Sequence, residues 1–308
     1  MEITTQTYTF PSCAGVGDIH AKCLCPQNET VKAVVQISHG MAEHAARYLP
    51  FAEYLCANGF AVFLHDHIGH GESVASPELL GYFGEHGEQN FIEDMKTVTD
   101  WAKKAYPDLP LFLLGHGMGS LIARKYTAQY GSLLAGAVYS GTSGSNPALG
   151  FGLLLCKVLI NLKGEKHRSK LLDKIAFGAY NKKTEKRTPC DWASRDEKEV
   201  DKFIADPLCG YMYTVSGMQA LFLTVREISK DSWYAAVPQN LPVLLISGTM
   251  DPIGNYGKGV REVFSRLQNT GHEAVQCKLY DGARHEILNE TNRAEVFADI
   301  LSFLSANL

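Results

Sequence analysis

The sequence predicts an α/β fold: a mostly parallel sheet of about eight strands, helices on both faces, and a helical cap inserted after the sixth strand. Two observations carry this reading. From Val31 to Tyr139, short apolar runs alternate with segments of helical periodicity, as expected for strands buried on both faces and joined by helical crossovers. The alternation stops after Ser140 and resumes near Met218, with no strand-like run between. One α/β domain interrupted once is the simplest account, and an α/β core can hold 308 residues. Its parts are residues 1–144, a cap at 145–215, and residues 216–308.

The elements follow in order. Thr5–Phe10 and Asp18–Cys25 alternate and read as an antiparallel hairpin. Val31–Ser38 is a buried strand ending in His39-Gly40, and residues 45–58 carry a helix pattern stopped by Asn58-Gly59. Phe60–His65 is an apolar strand, followed by a polar, glycine-rich loop to Gly87. Phe91, Met95, Val98 and Ala102 recur at helical spacing in a helix that ends before Pro107. Leu111–Leu114 (strand), Leu121–Tyr130 (helix) and Ala135–Tyr139 (strand) complete the first part. After the insertion come Met218–Ile228 (helix), Val243–Ser247 (strand), Lys258–Leu267 (helix), Ala274–Tyr280 (strand) and Ala294–Leu304 (helix).

Composition narrows the function. A net charge of −4 offers no basic surface to a polyanion, so no nucleic-acid partner is expected. The short basic stretch Lys163–Arg168 with Lys170 reads as a solvated helix face. The opening residues have neither a basic n-region nor an apolar h-region, and cytoplasmic location is the default expectation. The apolar run Phe151–Ile160 is too short for stable membrane insertion. The eight cysteines form no CxxC pair and read as reduced, mostly buried thiols; neither a metal nor another cofactor is expected.

Three turns carry the chemistry. Leu111-Phe-Leu-Leu-Gly115-His-Gly117-Met-Gly119-Ser120 is an apolar strand, a tight glycine turn and a helix start. That is the setting of a G-x-S-x-G nucleophile elbow, with Gly117 where serine is expected. A Rossmann-type phosphate loop is the competing reading of the glycines. It requires an N-terminal βαβ unit, whereas this turn lies deep in the chain. Val243 to Asp251-Pro252 places a carboxylate past a late strand, and Leu279 to His285 places an imidazole past the final one. The order nucleophile, acid, histidine is that of acyl-transfer triads on such sheets, in which the carboxylate fixes the tautomer of a histidine that alternates as base and acid. The third turn, His39-Gly40-Met41, aims a backbone N–H at a developing oxyanion, and the Met118 N–H supplies the second donor.

These segments together resemble the monoacylglycerol lipase and lysophospholipase branch of the α/β-hydrolases. The matching pieces are His39-Gly-Met-Ala-Glu43-His44 with Arg47-Tyr48, His65-Asp-His-Ile-Gly69-His-Gly71-Glu-Ser73, Gly115-His-Gly-Met-Gly119, Gly248-Thr-Met-Asp251 and Gly282-Ala-Arg-His285-Glu. The resemblance implies Asp251 as triad acid and His285 as base, with Met41 and Met118 as oxyanion donors. It puts Glu43 and His44 at the polar end of an acyl-glycerol pocket, with Arg47 orienting Glu43. The His65–Ser73 segment reads as structural. A small ester or lipid-like substrate follows, and no cofactor.

Gly117 departs from that pattern. Glycine has no atom to attack a carbonyl, so no acyl-enzyme can form and the chain as written is expected to be inactive. Ser120, nearly a turn into the helix, would face elsewhere. Two explanations stand: an introduced serine-to-glycine change that traps an intact ligand, favoured by the undamaged acid, base and oxyanion turns, or a natural non-catalytic binding protein. A thioesterase or amidase on the same fold is the further enzymatic alternative.

Overall fold

In a computed structural model of the chain, residues 2–27 and 30–308 are described. The strands are β1 (Ile3–Pro11), β2 (Asp18–Pro26), β3 (Ala33–Ser38), β4 (Phe60–His65), β5 (Leu111–His116), β6 (Gly136–Ser140), β7 (Val243–Gly248) and β8 (Val275–Tyr280). They form one sheet in the order β1-β2-β4-β3-β5-β6-β7-β8. β1 pairs antiparallel with β2, and β2 with β4; every later pairing is parallel. The helices are α1 (Leu49–Cys56), α2 (Gly87–Ala105), α3 (Met118–Tyr130), α4 (Leu149–Lys163), α5 (Lys170–Phe177), α6 (Glu197–Ala205), α7 (Val215–Ile228), α8 (Asp231–Ala236), α9 (Lys258–Asn269) and α10 (Arg293–Ala306). The expected α/β-hydrolase architecture is present, with α4 to α8 lying between β6 and β7.

The two faces of the sheet follow the strand period of two. Phe112, Leu114, Leu244 and Ile246 point into a core closed by Phe51 and Leu55 of α1 and Ile300 and Phe303 of α10. Leu113, Val243 and Leu245 point the other way, against Met95, Leu121, Tyr126 and Met218. Burial on both faces leaves little polar requirement along β3 to β7, which explains their continuous apolar runs.

The structure differs from the sequence reading at several places. The segment from Ala45 opens as a 3-10 turn through Tyr48, and the α-helix begins only at Leu49, where Pro50 sits in the first turn and needs no N–H partner. α3 starts at Met118, three residues before the apolar periodicity, because Gly119 and Ser120 are buried without adding hydrophobic signal. α8 was not expected: six residues are too few for a periodic pattern. Its Trp233 is buried, donates to the Arg124 carbonyl at 2.5 Å and stacks on the Arg124 guanidinium. Fewer thiols are buried than expected: Cys23, Cys56 and Cys156 are, the others are partly accessible, and Cys13 is exposed because its turn between β1 and β2 lies at the surface. Among the described residues, no helix is long and apolar enough to cross a membrane.

Because β3, β5, β7 and β8 run parallel, their C-terminal ends lie on one edge of the sheet. The turns after these four strands carry Gly40, Gly117, Asp251 and His285. Topology alone gathers them on the edge where ligands bind in open α/β sheets.

Candidate active site

The elbow is held by backbone. Gly117 has φ 54° and ψ −121°, a region that is costly for a side chain and nearly free for glycine. Its N–H donates to Ser140 O at 2.9 Å, and its carbonyl accepts from Ser120 N at 3.0 Å and Ser120 Oγ at 2.6 Å. Ser120 is therefore buried and turned back on the elbow's carbonyl. Gly119 lets α3 press against the end of β3: a Cβ there would fall 2.1 Å from Ser38 O and 2.4 Å from His39 O. Gly119→Ala is thus expected to cost at least about 3 kcal/mol, the upper part of the usual overpacking range, because the obstacle is backbone. Urea unfolding measures it, and a cost below about 1 kcal/mol would show that the two segments are free to separate.

Asp251 and His285 are brought together. His285 Nδ1 lies 3.0 Å from Asp251 Oδ2, and both residues are buried. Asp251 also accepts from Ser247 Oγ at 2.9 Å and from the Ile253 N–H at 2.9 Å. Burial pushes the Asp251 carboxyl up, but the charge and hydrogen bond of His285 outweigh it and leave the group lowered. The converse holds for His285: burial lowers it, the Asp251 carboxylate raises it more, and the net displacement is above 6.5. The other ring nitrogen faces the elbow, for a Cβ built on Gly117 would lie 3.0 Å from His285 Nε2. An imidazole so placed can take a proton from a hydroxyl at position 117 and return it to a leaving group.

The turn after β3 closes the other side. Gly40 Cα lies 3.6 Å from the same Cβ position. Among the described residues, neither the Met41 nor the Met118 backbone N–H has an acceptor. Glu43 shapes this turn: it is buried, and its Oε1 accepts from the Gly40 N–H at 2.5 Å and from Tyr48 Oη at 2.6 Å. Its Oε2 accepts from Arg47 Nη1 at 2.6 Å. Both oxygens of Glu43 are thereby engaged within the protein. Burial raises the carboxyl, and Arg47 with its other neighbours pulls it down to about 2.

Arg47 reaches further than expected. Nη1 and Nη2 also donate to Glu286 at 2.8 and 2.6 Å, a bidentate pairing. Glu286 follows His285 directly, so one guanidinium joins the turn after β3 to the histidine turn. The sequence reading passed over Glu286, although its adjacency to His285 in the matching motif was a usable signal. It also passed over Tyr213, for which no local signal exists. The Tyr213 hydroxyl accepts from the Ala42 N–H at 3.1 Å, meets His70 Nε2, and lies 3.2 Å from Met118 Sδ. His70 belongs to the His65–Ser73 segment, whose imidazoles pack on one another and on Phe83 and Phe91. His65, His67 and His70 are all held below 6.5, by burial first and by neighbouring imidazoles second.

His44 stands apart from the triad. Its Nε2 lies 2.9 Å from Asp206 Oδ2, and it lines a cavity of about 640 Å³ with Arg47, Pro50, Lys202, Asp206 and Asn289. Gly117, Met41, Asp251 and His285 do not line that cavity. His285 meets the segment between β6 and β7: the Trp192 ring is 5.5 Å from the His285 ring, with Tyr180 packed on Trp192. The insertion also presents exposed apolar side chains, Phe151, Leu154, Val158 and Leu162 along α4 and Leu171 and Ile175 on α5.

The chain is similar to known proteins along most of its length. A family model described as serine aminopeptidase, S33, matches residues 29–292. A monoglyceride lipase homolog of monkeypox virus is 31% identical over 86% of this chain and 85% of its own length. The human monoglyceride lipase is 31% identical over 85% of this chain and 78% of its own. Among solved structures, a thermostable carboxyl esterase from Bacillus coagulans, in complex with glycerol, superposes with a TM-score of 0.93 at 33% identity, covering 98% of each chain. With the match spanning all three turns that shape the site, the chain belongs to the serine aminopeptidase S33 family of α/β-hydrolases and is monoacylglycerol lipase-like within it.

Proposed function

We propose that this chain binds monoacylglycerol-like carboxylic esters without cleaving them, and that its serine-bearing counterpart hydrolyses the same esters through an acyl-enzyme. The observation that carries the reading is the aim of His285 Nε2 at the Cβ position of residue 117, with Asp251 behind it. In that counterpart, His285 is general base and then acid, Asp251 fixes its tautomer, and the Met41 and Met118 N–H groups receive the oxyanion. With glycine at 117 no bond to the acyl carbon forms, and the form is a substrate trap. Glu43 and Arg47 are positioning residues: they set the Gly40–Met41 turn against the histidine turn. His44 stands at the rim of the polar end. Residues 145–215 form the cap, and its exposed apolar side chains fit a substrate with an acyl chain.

Calorimetry with a monoacylglycerol tests this on the chain as it stands. Heat of binding with recovery of uncleaved ester is the expected result; absence of binding across acyl lengths in folded protein would remove both the trap and the substrate class. The family description as serine aminopeptidases favours an amide as the second reading. Esters, thioesters and amides presented in parallel to the Gly117→Ser protein decide between them.

A further inference from the structure

The turn after β3 carries a second constellation, of which the ester reading uses only His44, as a residue of the rim. His44 Nε2 lies 2.9 Å from Asp206 Oδ2, although the two residues are 162 positions apart. Asp206 ends α6 and opens a tight Asp-Pro-Leu-Cys turn, in which Asp206 Oδ1 accepts from the Leu208 N–H at 2.8 Å and Asp206 O from the Cys209 N–H at 3.0 Å. The turn returns Cys209 beside Asp206. One imidazole nitrogen, one carboxylate oxygen and one sulfur, from His44, Asp206 and Cys209, therefore lie within 4.8 Å of one another.

We propose that His44, Asp206 and Cys209 form a binding site for a borderline-soft divalent cation of the zinc type, at the rim of the 640 Å³ cavity. The site is distinct from the triad and does not depend on the ester reading. Bonds of about 2.0–2.3 Å around a tetrahedral zinc ion put its ligands roughly 3.2–3.7 Å apart. Reaching that spacing requires the His44–Asp206 pair, now 2.9 Å apart, to open by a few tenths of an ångström and the Cys209 sulfur to close by up to about 1 Å, within the range of a cysteine side-chain rotation. The charge around the site suits a cation: Asp206, Glu43 and Glu286 are anionic neighbours, Arg47 is already shared by Glu43 and Glu286, and the Lys202 and Arg293 side chains that line the same cavity pair with Glu199 and Asp196. Sulfur with imidazole and a single carboxylate selects zinc and its close analogues over magnesium and calcium, which take oxygen ligands. On binding, the Cys209 S–H bond is replaced by a sulfur–metal bond and the proton passes to solvent, so affinity rises with pH. His44 and Asp206 line the cavity, which leaves the remaining coordination position to water or a small ligand. The cation would tie the turn that carries Met41 to the end of α6.

The test is titration of the full chain, kept reduced, with cobalt(II) and zinc(II) chlorides. One equivalent of cobalt should bind with a near-ultraviolet thiolate charge-transfer band, zinc should displace it, and magnesium should have no effect. Cys209→Ser should abolish the band and weaken zinc binding at least about 100-fold, more than loss of an outer-sphere partner costs. Asp206→Asn and His44→Gln should each weaken it substantially, and both residues are accessible enough for these variants to fold even if Cys209→Ser does not. Cys13→Ser, which removes the exposed thiol, and His285→Ala, which disables the triad histidine, should leave binding unchanged. A band that survives Cys209→Ser, one lost in Cys13→Ser or His285→Ala, or the absence of stoichiometric binding would overturn the site.

Discussion

Replacing Gly117 by serine is expected to raise turnover of a p-nitrophenyl ester from near zero by about 10⁶-fold, the scale of loss when a triad nucleophile is deleted. The backbone at residue 117 already has the φ and ψ a serine there would be forced to adopt. A Cβ at that position lies 3.0 Å from His285 Nε2, so the hydroxyl arrives within reach of its base, and the imidazole must retreat by only a few tenths of an ångström. That retreat, with about 1–3 kcal/mol of strain for a side chain at positive φ, opposes the entropy gained by losing a glycine from the unfolded chain. The strain should dominate, so the serine protein should melt no higher than the glycine one. A serine variant that is folded yet inert toward esters, thioesters and amides would turn the case toward a binding protein with no catalytic counterpart.

In the serine background, His285→Ala should remove nearly the whole gain, and Asp251→Asn about 10⁴-fold of it. The two differ because the asparagine keeps the ring in place but presents the wrong tautomer. The pH profile is a separate signature. His285 must be neutral to act as base, and Asp251 raises its midpoint above 6.5. Activity should therefore climb with pH through a limb centred above that value, and Asp251→Asn should move the limb down, since the charge that favoured the imidazolium is gone. Steady-state rates between pH 5 and 9 measure both. An unmoved limb, or activity that survives His285→Ala, would place the base elsewhere.

The sequence made the sheet legible because each strand of the parallel half is buried on two faces and reads as an uninterrupted apolar run. The same burial made the order of turns readable, since each follows a strand end. What it left out is contact between distant segments. Glu286 organises the site through Arg47, 239 positions away, and Tyr213 through partners 95 to 171 positions away, and no periodicity registers such distances. Glu43 shows the limit of a motif: the residue type is informative, but whether its carboxylate faces substrate or, as here, the Gly40 N–H and Arg47 depends on where the neighbouring turn folds. α8 escaped notice for the opposite reason, being too short to show a period.

The elbow depends on the peptide groups of residues 117, 120 and 140 and on the Ser120 hydroxyl, and nothing that fixes it passes through a side chain at position 117. The reacting atom is in this sense an attachment to the scaffold and not one of its supports. A lineage could exchange capture for cleavage, or the reverse, by one substitution and with no damaged intermediate fold to cross. On the proposed reading, a protein that holds lipid esters and an enzyme that consumes them would be neighbours in sequence space, separated by a single hydroxymethyl group.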